Sequence, residues 1–144
     1  MSSPLAMTRQ EREAFLADTH VGIVSISEPG RGPLTLPVWY DYTPGGTVRF
    51  STGANSRKGK LLRDGVRIGF CAQNETPPYQ YVSLEGPIRI GEPVKEELRA
   101  MALRYLGPQM GEAYFAMLSA DPEPNILVEL TPERWFSVDY RKIG

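Results

Sequence analysis

"PLTLPVWYDYTPGGTVRFST", residues 33–52, decides the fold. Two stretches rich in β-branched and aromatic residues flank "TPGGT" (43–47), whose Pro and Gly chemistry is that of a tight reversal. A strand that turns back within so few residues pairs antiparallel with the next one. Pro37 removes a ladder donor from the first stretch, which puts it at a sheet edge or a bulge.

The pattern repeats on both sides. "VGIVSIS" (21–27) reads as a strand with apolar residues on both faces, followed by the turn "EPGRG" (28–32). "VRIGFCAQ" (66–73) and "YVSLEGPIRI" (81–90) read as strands, the second bent at Gly86-Pro87, and "ILVEL" (126–130) and "RWFSVDY" (134–140) as the last two. Thr8 and Glu11 form a capping box that opens a helix to about Ala17, with Phe15 and Leu16 inward. Residues 57–65 read as a short helix with Ser56 as N-cap. Residues 93–106 form an amphipathic helix opened by Pro93, with Val94, Leu98, Met101 and Tyr105 on one face. Gly107-Pro108 ends it, and a second helix runs through Met110, Ala113, Tyr114 and Met117. Nowhere do strands alternate with helices as βαβ units do. The expectation over residues 1–144 is one mainly-β domain with accessory helices, a six- to seven-stranded antiparallel barrel.

Composition removes several classes of function. Cys71 is the only cysteine and His20 the only histidine among 144 residues, which excludes an intrachain disulfide and Cys/His zinc sites. The single Cys points to a cytoplasmic protein. No apolar run approaches the roughly 20 residues of a membrane span, and "MSSPLAMTRQEREAF" lacks a signal-peptide pattern. A hydrolase triad would have to use His20, and no GxSxG elbow accompanies it; a structural role suits this residue better. The net charge is −1, yet residues 49–67 hold Arg49, Arg57, Lys58, Lys60, Arg63 and Arg67 against Asp64 alone. A nucleic-acid partner requires a basic face rather than one spot, so the cluster suits a small anion.

That spot follows the strand end "FST" (50–52). Ser51, Thr52 and Ser56 offer hydroxyls, Arg57 and Lys58 offer charge, and a helix start offers free N–H groups. Together they read as a phosphate or carboxylate site, against the plainer reading of a solvated helix start. It is not a nucleoside-triphosphate loop: five residues separate Gly53 from Gly59, and Leu61 rather than Ser or Thr follows Lys60.

With "PVWYDY", "RFST", "SRK…LLRD" and "YVSLEGPIRI" in this order and spacing, the chain resembles the pyridoxamine 5'-phosphate oxidase-like split-barrel flavoproteins over roughly residues 10–140. Within them it looks most like the branch that uses the deazaflavin coenzyme F420. The resemblance implies a dimeric split barrel with the cofactor cleft between two subunits. It implies that the backbone of Val38, Trp39 and Tyr40 lies along the cofactor ring. Ser51, Thr52, Arg57 and Lys58 would hold the cofactor phosphate, and Tyr79, Gln80 and Tyr81 would line the cleft. For Trp39, Tyr40 and Tyr79, ordinary strand packing is the alternative role.

The chain departs from the family at two places. Oxidases of pyridoxamine phosphate carry a cation in the strand matching 34–42 that grips the FMN phosphate, and "LTLPVWYDY" has none. Their C-terminal Arg and His substrate grip has no counterpart in "SVDYRKIG". The expected function is therefore an oxidoreductase in which reduced F420 gives a hydride to a small organic acceptor. Tyr79 or Tyr81 would be a proton donor, and no catalytic residue is assigned. An FMN-dependent reductase or oxidase is the alternative enzyme, and a non-catalytic carrier of a cofactor or tetrapyrrole the alternative from another class. Neither nucleic acid nor membrane is an expected partner.

Overall fold

A computed structural model describes residues 3–143. Helix α1 (Arg9–Ala17) precedes strands β1 (Gly22–Ile26), β2 (Leu34–Val38), β3 (Asp41–Tyr42) and β4 (Val48–Gly53). Helix α2 (Arg57–Leu61) leads to β5 (Arg67–Gln73) and the long β6 (Gln80–Gly91). Helix α3 (Lys95–Ala120) then precedes β7 (Asn125–Leu130), β8 (Arg134–Asp139) and a final 3-10 turn (Tyr140–Lys142). All strand pairs are antiparallel, in the order β2-β1-β5-β6-β7-β4-β3, with β8 also on β6. The result is the expected antiparallel split barrel with accessory helices.

The described residues form eight strands rather than six or seven, because the stretch 33–42 is two strands. Leu34–Val38 pairs with β1, and Asp41–Tyr42 pairs with β4. The strands at the two ends of the pairing order are thus consecutive in the chain, joined by Trp39 and Tyr40. The barrel closes there through the covalent chain and not through a ladder. Pro37 sits on β2, an edge of the order, where its missing N–H costs no ladder bond.

Strand β6 carries the other bend. Its first part pairs with β5 and β8, and its last part with β7. β7 and β8 lie end to end along one side of β6: Ile88 faces Leu130, and Glu85 faces Arg134. Two residues of β6, Gly86 and Pro87, therefore oppose the three residues 131–133, an extra residue of the kind that bends a strand. Glycine is required at 86, since a Cβ there would come within 1.7 Å of the Thr131 carbonyl oxygen. The bend read at Gly86-Pro87 is the hinge that lets one strand serve both halves of the barrel.

The core fills the barrel with the inward residues of β1, β4, β5, β6 and β7 and with Tyr40 from the seam: Val24, Ile26, Tyr40, Val48, Phe50, Phe70, Val82, Ile88, Val128 and Leu130. Phe15 and Leu16 of α1 close one end, and the Thr8–Glu11 capping box forms as read. His20 is structural: its ring stacks on Phe15 at 4.3 Å and its Nε2 lies 3.0 Å from the Phe15 carbonyl. The reading of β1 as buried on both faces needs correction. Val24 and Ile26 are fully buried, but Val21 and Ile23 on the outward side are 50% and 36% exposed. Gly107 takes φ 82° and ψ 174°, so α3 breaks at the expected Gly107-Pro108 into two helical halves.

Gly86→Ala should destabilise the fold by about 2 kcal/mol or more, since backbone must move to admit the methyl group. Gly91→Ala, with open space around it, should be nearly neutral. Thermal unfolding of the two variants beside the parent checks this; equal midpoints would contradict the crossing described at residues 131–133.

Candidate functional site

Between β2, the end of β4, α2 and the underside of α3 lies a cleft of about 400 Å³. One end is polar. Ser51 and Thr52 sit at the end of β4, Asn125 starts β7 opposite Gly53, and Lys58 reaches in from the first turn of α2. The other end is apolar, with Val38 and Trp39 from the barrel and Leu98, Met101, Tyr114 and Leu118 from α3.

Local folding explains why Lys58 faces the cleft. Ser56 caps α2, accepting from the Gly59 N–H at 3.0 Å and donating to the Gly53 carbonyl at 2.8 Å. Those two bonds fasten the helix start to the strand end. Gly59 lets α2 approach: a Cβ there would stand 2.1 Å from the Gly53 carbonyl oxygen. With α2 held so close to β4, the residue one position before Gly59 points along the strand end. Lys58 is half-buried, and its pKa is lowered by burial alone. Among the described residues no carboxylate offsets that burial, so the folded chain disfavours the charged ammonium. The sign follows: the cation costs the ligand-free protein stability at neutral pH, and an anion arriving beside it turns the cost into a gain.

The residues expected at the site are thus divided by the structure. Val38, Trp39, Ser51, Thr52 and Lys58 line one cleft. Ser56 acts as the cap just described. Arg57 turns away, and its guanidinium pairs with Glu28 at 2.6 Å. Tyr40 contributes backbone only, because its ring is fully buried and its hydroxyl donates to the Leu16 carbonyl at 2.7 Å. Burial pushes that hydroxyl far above the usual tyrosine range. Tyr79 lies outside this cleft, about half exposed on the loop before β6.

Two features of the site were not among the residues singled out from sequence. The first is the wall from α3. Its apolar periodicity was visible, but periodicity does not say which surface a helix covers. The second is Tyr105. Its ring stacks on Trp39 at 5.1 Å with 6° between the planes, and Tyr114 tilts against the same indole at 5.2 Å. Its hydroxyl donates to the His20 carbonyl at 2.6 Å and accepts from the Tyr40 N–H at 3.2 Å. Next to it, Arg104 donates to Thr19, to the Ala17 carbonyl and to Asp41 at 2.9–3.2 Å. Residues 104 and 105 therefore fix α3 to the seam of the barrel, and the cleft lies between that anchor and α2.

A family model described as pyridoxamine 5'-phosphate oxidase matches residues 8–139. Among curated protein sequences, none matches the chain. Among solved structures, a conserved hypothetical protein from Mycobacterium tuberculosis aligns with a TM-score of 0.75 at 24% identity, over 99% of this chain and 91% of that one. A protein described as an F420 reductase aligns at 0.67 with 18% identity, over 86% and 94%. An FAD binding protein from Mycobacterium smegmatis aligns at 0.62 with 13% identity, over 92% and 96%. At these identities the likeness is one of fold.

Lys58→Ala should weaken binding of a phosphate-bearing ligand by about 1.5–3 kcal/mol, one to two decades in Kd. Its unfolding midpoint without ligand should hold or rise, since an uncompensated cation is removed. Lys60, exposed and outside the cleft, is the control, and Lys60→Ala should bind normally. Calorimetric titration reads both; equal affinities in parent and Lys58→Ala would reduce the cluster to a solvated face.

Proposed function

The chain belongs to the pyridoxamine 5'-phosphate oxidase family, and from that premise we propose that it is a cytoplasmic oxidoreductase that uses reduced coenzyme F420 to reduce a small organic acceptor. The observation that carries this reading is that Lys58, which pairs with no carboxylate among the described residues, lines one cleft with Ser51 and Thr52, and that the β2 side of that cleft holds no cation. An ammonium and two hydroxyls suit one phosphate group. The strand that would supply a second cation for FMN presents Pro37, Val38 and Trp39 instead, which favours the deazaflavin over FMN.

When bound, the deazaflavin supplies a hydride to an activated double bond, a quinone or a tetrapyrrole-like acceptor. The protein supplies position and dryness. The segment Val38–Tyr40 offers backbone against a flat ring, and Tyr105 holds that segment in one conformation through the Tyr40 N–H and the indole of Trp39. Leu98, Met101 and Leu118 exclude water from the opposite side. Lys58 neutralises the phosphate end.

In the same reading the working unit is a homodimer. Pro37, Ile23, Cys71, Ser83 and Phe136 follow one another in register across five strands. Ile23 and Phe136 of that row are open to solvent, Phe136 at 62% exposure. Such a band across a sheet face is suited to a second copy. Docking there would draw the exposed Tyr79 loop toward an interface and give Tyr79 or Tyr81 a role as proton donor.

Titration of the protein with F420 and with FMN tests the cofactor: F420 should bind more tightly, and a tighter FMN constant would move the assignment to a flavin enzyme. Binding without reduction of any offered acceptor would leave a carrier. Sedimentation tests the assembly. The parent should be dimeric at micromolar concentration and Phe136→Glu monomeric, whereas a monomeric parent would remove the dimer from the reading.

A further inference from the structure

The cleft has a neighbour. Between the first half of α3 and the outward face of β4 and β7 lies a chamber of about 140 Å³. Leu98, Ala100 and Met101 form its α3 side, and Leu127 and Ser51, paired across β7 and β4, lie on the sheet side. Ser51, Leu98 and Met101 line the cleft as well, so the two spaces adjoin and share a partition of two flexible apolar side chains. Methionine adapts its shape to what lies against it. On the sheet side the space is left by the small side chain of Ser51, while Ala100 is exposed at its mouth.

The charges at the chamber cancel. Arg49 pairs with Glu97 at 2.6 Å, and Arg104 with Asp41 at 3.2 Å. Two cations and two carboxylates, all engaged, leave no net charge for an ion to meet. This is the opposite of the cleft, where Lys58 lacks a partner. The volume sets the size of the occupant, since about 150 Å³ is what one benzene molecule fills; the apolar side chains lie at the bottom of the chamber and the ion pairs at its open rim.

We propose that this chamber is a second binding site, one that takes a neutral, benzene-sized apolar group. On the redox reading above, which this assignment of purpose rests on, that group is an apolar ring or branch of the acceptor, whose reacting part lies in the cleft. The acceptor class is then an uncharged molecule with an aromatic or compact hydrocarbon substituent, not a second phosphate ester.

Fluorobenzene is the probe, titrated without any cofactor into protein carrying labelled Met, Leu and Val methyl groups. Saturable shifts are expected at Met101, Leu98 and Leu127. Ala100→Leu puts a helix-favouring side chain of larger volume across the mouth of the chamber and should weaken the probe at least tenfold with an unchanged unfolding midpoint. Ala100→Met serves the same end with a more pliable side chain should the first variant fold poorly. Shifts confined to Val21 and Leu118 of the cleft, no saturable shift at all, or equal binding by the filled variants would each overturn the chamber. Since no cofactor enters the titration, that failure would leave the redox reading standing, and loss of cofactor binding would leave the chamber standing.

Discussion

The barrel is joined at Trp39 and Tyr40 by chain and not by a ladder, so the seam has to be held from outside, and the hydroxyl of Tyr105 is what holds it. Two strands whose edges are unpaired leave peptide groups without partners, and buried peptide groups need partners. Here the Tyr40 N–H and the His20 carbonyl both find one phenol oxygen. That oxygen belongs to α3, whose neighbouring Arg104 bonds Thr19, Ala17 and Asp41 beside the same seam. The same tyrosine stacks on Trp39. One residue thus fixes the seam, the aromatic wall of the cleft and the position of the long helix.

The cleft and the chamber follow from that anchor. A helix fastened at Arg104 and Tyr105 crosses the outward face of β4 and β7, and the chamber lies beneath Leu98 and Met101 where Ser51 is small. Beyond the anchor, Gly107 breaks the helix with a positive φ that glycine adopts freely. The second half folds back, with Gly111 placed so that a Cβ there would meet Ala102 and Leu103 at 2.8 Å. That return is what brings Tyr114 and Leu118 over the cleft. The apolar end of the site is therefore made by one anchor, one break and one close approach within a single helix.

Much of this was legible in the sequence, and the boundary of legibility is physical. Turn chemistry is local, so hairpin order and the antiparallel class could be read from residues such as Gly45-Gly46 and the turn at 28–32. Helix caps are local too, and Thr8 with Glu11 formed as read. The split of 33–42 was not legible, because it depends on which distant strands each half meets. Arg57 looked the equal of Lys58; the carboxylate that takes it lies 29 residues away, on Glu28. The face of Val94, Leu98, Met101 and Tyr105 was read as one stripe. Only the fold shows that Leu98 and Met101 line open space while Tyr105 holds the seam.

The partition of the cations sets Lys58 apart from the other basic residues and is what the proposed anion site rests on in a protein of net charge −1. Arg57, Arg49 and Arg104 have carboxylate partners at 2.6–3.2 Å, and their charge is neutralised where it stands. Lys58 alone of this group is sunk beside the hydroxyls of a strand end with burial as the only influence on its titration. A charge in that position is held there by the rest of the fold at some expense in stability, because desolvation is not repaid within the chain. A ligand that binds only the folded form adds stability as its concentration rises above its Kd. An anion does more at this site than at a paired arginine, since it relieves an unfavourable burial as well as adding a contact. Ligand binding and fold stability are for that reason coupled at Lys58 more strongly than at any of the paired cations around it.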